Sequence, residues 1–140
     1  MKRLSRTFPA RLRAFEQVKA LIDEFGEAAG LGSEDRHKLT LIVEELFTNT
    51  VTHGHRGDSN APVQVTLEDT AGGVRLTYED SAPQYDPLAA SRRTDIESTI
   101  NERRDGGLGV FLTIGLTDGA DYRFVEGRNR ISLTLVPSRE

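Results

Sequence analysis

Apolar residues recur at helical spacing along the first part of the chain. Leu12, Phe15, Val18, Ile22 and Phe25 return every three or four positions, which predicts an amphipathic helix of about five turns with one face against a core. Pro9 suits the opening of that helix because its ring holds φ near the helical value. Gly30 and Gly32 end it, as glycine commonly does at a helix C-terminus. Ser33 then reads as the cap of a second helix, with Glu34 and Asp35 in the first turn where the macrodipole favours acids. Leu39, Ile42, Val43, Leu46 and Thr50 give this helix an inward seam, and Gly54 and Gly57 break it.

Elsewhere the period falls to two. Leu4, Arg6 and Phe8 alternate weakly and predict a short first strand over Lys2 to Phe8. Val63, Val65 and Leu67 predict a strand from Val63 to Glu68, and Val74, Leu76 and Tyr78 its partner from Val74 to Asp80. Thr70-Ala71-Gly72-Gly73 is the turn between them. Ala120 to Val125 and Ile131 to Val136 form a second hairpin around Gly127-Arg128. From Ser81 to Arg104 the pattern dissolves, apart from one or two short helical turns around Asp95 to Glu102. Val110, Phe111, Ile114 and Leu116 then predict a short helix after Gly106-Gly107-Leu108-Gly109. This order predicts an α+β fold: a two-layer sandwich of one mixed, mostly antiparallel sheet with helices on one face.

The second helix carries unusual cargo. Glu45, Asn49 and His53 lie four residues apart, so on a helix they stack along one stripe beside the apolar seam. If that stripe is buried, each unpaired polar group costs about 1–3 kcal/mol, and something should meet it. A metal-bound phosphate fits: a carboxylate can orient or deprotonate a hydroxyl, an amide oxygen can ligate Mg2+, and an imidazole can contact phosphate oxygens. An ordinary solvent-facing polar stripe explains the same spacing equally well. Two further stretches change the balance. Tyr78-Glu79-Asp80 puts an acid at a strand end, and the Gly106–Gly109 run leads into a helix, where close backbone amides and the helix dipole favour an anion.

Composition narrows the class. A chain of 140 residues with 36% hydrophobic content makes a single globular domain, 1–140, with a lid at about 81–105. No apolar run approaches the length of a bilayer-crossing helix, and the N-terminus lacks the apolar core of a secretory signal. The absence of cysteine excludes disulfides and thiolate metal sites and fits a reducing cytoplasm. A net charge of −4 without a basic block argues against general nucleic-acid binding. His37 and His55 read as surface residues, Arg128 and Arg130 as residues flanking a turn. Arg92-Arg93 and Arg103-Arg104 bracket the lid, as solvated charge or as a reach for a γ-phosphate on closure.

Together these stretches resemble the GHKL ATPase superfamily, specifically its small bacterial anti-sigma-factor serine kinases of the RsbW type. V-E-E-L-F-T-N-T-V-T-H-G resembles the family's N box, D-S-A-P-Q-Y-D-P stands in place of the first glycine box, and G-G-L-G-V-F-L-T resembles the second. G-R-N-R-I-S-L-T-L resembles the closing strand. The resemblance implies roles for individual residues. Glu45 would be the general base or water-orienting carboxylate, Asn49 the Mg2+ ligand, and His53 a neighbour of the phosphates. Asp80 would accept the adenine amino group. Gly107 and Gly109 would shape the phosphate loop, with the amides of Leu108 and Val110 as donors. Asn129 stands where many relatives carry a threonine that helps hold adenine. One departure matters. The family's first glycine box commonly reads D-x-G-x-G, and here Ala82 and Gln84 replace both glycines while Pro83 stiffens the loop. That predicts a reshaped adenine pocket, although the Tyr85-Asp86-Pro87 tail resembles a variant found in relatives.

The implied function is an ATP- and Mg2+-dependent protein serine kinase. It would phosphorylate an anti-sigma-factor antagonist and sequester a sigma factor or another regulatory protein, as a cytoplasmic homodimer that contacts neither nucleic acid nor membrane directly. The alternative is a nucleotide-binding interaction module of the same fold without transferase activity, which the altered first glycine box favours. A detached histidine-kinase catalytic domain ranks last, because no phospho-accepting helix pair precedes the first strand.

Overall fold

The computed structural model describes residues 2–88 and 117–137. The strands are β1 (Arg3–Pro9), β2 (Pro62–Thr70), β3 (Gly73–Asp80), β4 (Gly119–Val125) and β5 (Arg128–Leu135), and the helices are α1 (Phe15–Ala29) and α2 (Ser33–Asn49). The expected helix after the glycine run, most of the lid, the four bracketing arginines, and Gly107, Leu108, Gly109 and Val110 lie outside the described residues.

Alternation decides the faces of the sheet. Val63, Val65 and Leu67 of β2, Val74, Leu76 and Tyr78 of β3, and Ile131, Leu133 and Leu135 of β5 all point inward and are buried. The strand order is β1-β2-β3-β5-β4, and every neighbouring pair is antiparallel. The described sheet is therefore antiparallel throughout rather than mixed. Its opposite face is polar: Ser5, Thr66, Thr77, Ser132 and Asp121 form one row across the five strands by register. Such a face needs no second layer.

α1 and α2 cover the apolar face. Val18, Leu21, Ile22 and Phe25 of α1 meet Leu39, Ile42, Val43, Leu46 and Phe47 of α2 in one core with the inward strand residues. Full burial of each such side chain contributes about 1.5–3 kcal/mol. Both helix starts depart from the pattern. Pro9 ends β1, where its missing donor is harmless beside Pro62 in the register. The helical turn begins only at Leu12, as a 3-10 turn over Leu12–Ala14, and Leu12 is 49% exposed instead of buried. Gly32, not Ser33, occupies the cap position of α2, and no side chain caps it. Gly30 does end α1 as expected, in the left-handed conformation at φ 71°.

The chain continues from α2 into a wider turn. Thr50–Gly54 is a π-turn, closed by the His55 amide donating to the Thr50 carbonyl at 2.9 Å. Single π-turns inside helices recur at functional sites. In the β4–β5 hairpin, Glu126 (φ 53°) and Gly127 (φ 78°) make the two-residue turn between Val125 and Arg128. The turn thus sits one residue earlier than the Gly127-Arg128 centre expected. Arg128 and Arg130 lie on the polar face, both paired with Glu79.

Candidate functional site

A cavity of about 880 Å3 opens where α2 and its π-turn meet the end of β3, the following loop and the β4–β5 hairpin. Asn49, His53, Asp80 and Asn129 all line it, although 80 residues separate the first from the last along the chain. Glu45 does not appear in the described lining.

The polar stripe of α2 is less buried than the helical spacing suggested. Glu45 and Asn49 are half-buried and His53 is exposed. Among the described residues no hydrogen bond or ion pair engages any of the three side chains. Water can reach them, so the desolvation argument for a ligand falls away, and their side chains stand available instead. His55 also departs from expectation: it is half-buried, and its Nε2 is shielded from solvent with no hydrogen-bond partner among the described residues.

Asp80 sits at the other end of the cavity, buried at 8% exposure, and its carboxylate is held from three sides. The Thr50 hydroxyl donates to Oδ2 at 2.7 Å. The Asn129 amide nitrogen donates to Oδ1 at 2.8 Å, and the Ala82 backbone amide reaches the same oxygen at 3.2 Å. A carboxylate offers about four acceptor positions. Three donors leave one, on Oδ2, in a group that lines the cavity.

The donors are themselves fixed. Thr50 Oγ1 lies 2.7 Å from the Tyr78 hydroxyl and 3.0 Å from the Leu46 carbonyl, yet it carries a single proton. The buried Tyr78 can supply the Thr50 oxygen, which frees the Thr50 proton for Asp80. Burial first, and then the charge of Asp80, push the Tyr78 phenol well above its ordinary pKa, against the lowering effect of its bond to Thr50. Burial is also the main cause that raises the Tyr122 phenol, with Asp86 and Asp80 adding to it.

Asn129 ties the loop to the sheet. Its nitrogen also approaches the carbonyls of Ala82 at 3.0 Å and Pro83 at 3.1 Å. Its oxygen accepts from the Tyr85 amide at 2.9 Å and from the Tyr122 hydroxyl. The loop after Asp80 is thus closed by a side chain from β5. No residue of 81–88 has a positive φ, so Ala82 and Gln84 occupy ordinary backbone conformations where the family motif has glycine. Ala82 makes a close approach instead: a Cβ added at Gly54 would lie 2.7 Å from that of Ala82.

Thr50, Tyr78, Tyr85 and Tyr122 were not legible as site residues. Their sequence signal is a polar atom at an inward position: Thr50 on the apolar seam of α2, Tyr78 in the apolar alternation of β3.

Comparison with known proteins bears on the family and the fold. The model of the histidine kinase-like ATPase domain matches residues 8–135. The chain is 28% identical over 99 residues to the serine/threonine-protein kinase BtrW of Bordetella bronchiseptica, covering 71% of this chain and 69% of that one. It is 24% identical over 135 residues to the serine-protein kinase RsbW of Bacillus licheniformis, covering 94% and 84%. A crystal structure of the RsbU and RsbW domains of a Mycobacterium tuberculosis protein superposes with a TM-score of 0.70 at 20% identity; it covers 100% of this chain, which spans 34% of that one. The antiparallel sheet, the paired helices and a family match over nearly the whole chain carry one conclusion: the chain belongs to the histidine kinase-like ATPase family.

Proposed function

We propose that this protein is an ATP-dependent serine-protein kinase that switches a regulatory partner. The observation that carries the reading is the cavity with two chemically distinct ends. At one end Asp80 keeps a single acceptor position, suited to an exocyclic amino group such as that of adenine. At the other the Asn49 amide is uncommitted, and its oxygen suits Mg2+. The cavity volume of about 880 Å3 falls in the range of small-molecule sites, about 300–1,000 Å3. The similarity to proteins named as serine-protein kinases supports the same reading.

On this reading Asp80 and its donors fix the base, and Asn49 with His53 faces the phosphates. Bound Mg2+ would neutralise charge on the phosphate oxygens. Glu45, one turn before Asn49 on α2, would take the proton of an incoming serine hydroxyl, since phosphoryl transfer asks little of a protein beyond positioning and charge. The acceptor would be a serine on an anti-sigma-factor antagonist, and the sequestered partner a sigma factor or a similar regulator. Radiolabelled ATP, supplied to the protein with a candidate antagonist, tests this. Acid-stable, alkali-labile label on a partner serine is the expected result, and acid-labile label on the protein itself would contradict it.

One observation favours a second reading. Glu45 is absent from the described lining of the cavity, as a nucleotide-binding interaction module without transferase activity would allow. Firm binding of nucleotide and partner with no transfer under saturating Mg-ATP would establish that reading instead.

A further inference from the structure

The N-box helix and the base-recognising acid are joined by one hydroxyl. Thr50 follows Asn49 directly in the chain, lies 3% exposed on the inward seam, and reaches across to Asp80 Oδ2 at 2.7 Å. A threonine at the end of a helix commonly bonds the carbonyl four residues back with no further consequence, and the Leu46 carbonyl lies within reach of the Thr50 hydroxyl at 3.0 Å. Two observations set it apart. The Tyr78 hydroxyl stands 2.7 Å from the same oxygen, so a buried donor is present to feed it. In addition, Thr50 provides the only described hydrogen bond to Asp80 Oδ2, whereas Oδ1 has two. The remaining acceptor position of Asp80 is on the oxygen that Thr50 holds, and Thr50 itself lines the cavity.

We propose that Thr50 is a positioning residue that fixes the open acceptor position of Asp80 and thereby sets a preference for nucleobases carrying an exocyclic amino group. This rests on the reading of Asp80 as the base-facing acid. With Thr50 in place, Oδ2 has one acceptor position left, which an N–H donor can fill. A ring carbon bearing only hydrogen leaves that oxygen unpaired, and a carbonyl sets two acceptors against each other. Without the hydroxyl, Oδ2 loses its one described hydrogen bond and can turn toward water. The phosphate end, organised around Asn49, does not depend on this contact.

Calorimetric titration of the full chain, with Mg2+ present, compares ADP with the diphosphates of purine riboside, which lacks the amino group, and of inosine, which has a carbonyl there. The parent should prefer ADP over both by roughly tenfold or more, the scale of a hydrogen bond to a charged group. Thr50→Val and Thr50→Ala should each lose most of that preference through weaker ADP binding. Their affinity for the purine riboside nucleotide should change by less than about threefold, which also reports that the rest of the site has folded. Thr50→Ser keeps the hydroxyl and should keep the preference. A parent-like preference in both Thr50→Val and Thr50→Ala would overturn the proposal and leave the kinase reading intact. A parent that binds all three nucleotides equally would overturn the proposal and the assignment of Asp80 together. A parent that binds none would overturn the functional reading itself.

Discussion

Asn129 shows how much one side chain can organise at this site. It touches Asp80, the carbonyls of Ala82 and Pro83, the Tyr85 amide and the Tyr122 hydroxyl. Replacing it with alanine leaves several polar groups short of a partner, some of them buried. Asn129→Ala should therefore lose about 2–3 kcal/mol in urea denaturation, and adenine nucleotide binding should weaken with it. Tyr78 offers a test by pH. Its phenol is raised in the native state, so above pH about 10 the unfolded chain loses that proton first and stability falls as pH rises. The contribution is whole below pH about 10 and is lost as pH climbs toward the native-state value. Denaturation midpoints of Tyr78→Phe should fall less steeply than the parent's above pH about 10. On α2, Asn49→Ala should weaken Mg-dependent nucleotide binding. Glu45→Ala should leave binding nearly unchanged and cut transfer by about 10²–10⁴-fold; equal transfer rates in parent and Glu45→Ala would refute the base assignment.

Elements meet at this site through close approach as much as through hydrogen bonds. The π-turn after α2 brings Gly54 against Ala82, with only 2.7 Å available to an added Cβ. Gly54→Ala should push the turn and the loop apart and cost about 1–3 kcal/mol, as overpacking does. Adding Ala82→Gly in the same chain removes the opposing methyl and should recover a measurable part of that loss in the same urea titration. The pair also shows how alanine is accommodated at position 82. Ala82 needs no positive φ there, and the space a glycine would leave open is provided by Gly54 across the contact. The two-residue turn at Glu126-Gly127 belongs to the same logic, since it returns β5 so that Asn129 stands opposite Asp80 in the register.

At the scale of the molecule, the described helices and the cavity share one side of the sheet and the other face is polar. Ligand binding to the folded state alone stabilises it, by about 2.7 kcal/mol at a concentration of 100 times Kd. For a domain of this length that should raise the melting temperature by on the order of 5–10 °C. Mg-ADP at millimolar concentration should produce such a shift, and Mg2+ alone should not. An unchanged melting temperature with both Mg-ADP and Mg-ATP would remove the basis for the proposed function. Among the described residues no helix is long and apolar enough to cross a membrane.

The strands, the two long helices and their inward faces could be read from periodicity, because burial selects residues every second or every third to fourth position. Val63, Val65 and Leu67, or Leu39, Ile42 and Val43, carry that information in their own spacing. Asp80 and Asn49 were legible as candidates because an acid at a strand end and an amide on an otherwise apolar helix are locally conspicuous. Boundaries were less legible. Pro9 is compatible with a strand end as well as a helix start, and only its pairing opposite Pro62 decides between them. The hydrogen bonds around Asp80 could not be read from the chain. Asn129 and Ala82 stood out through the family resemblance, but Thr50, Tyr78, Tyr85 and Tyr122 look ordinary in their own stretches, and these six residues come from five separate segments. Their partnership depends on strand register and on a π-turn, both settled by how the elements pack. A hydrogen bond across 49 residues, such as that between Asn129 and Asp80, leaves no periodic trace, so tertiary structure alone decided which polar atoms meet.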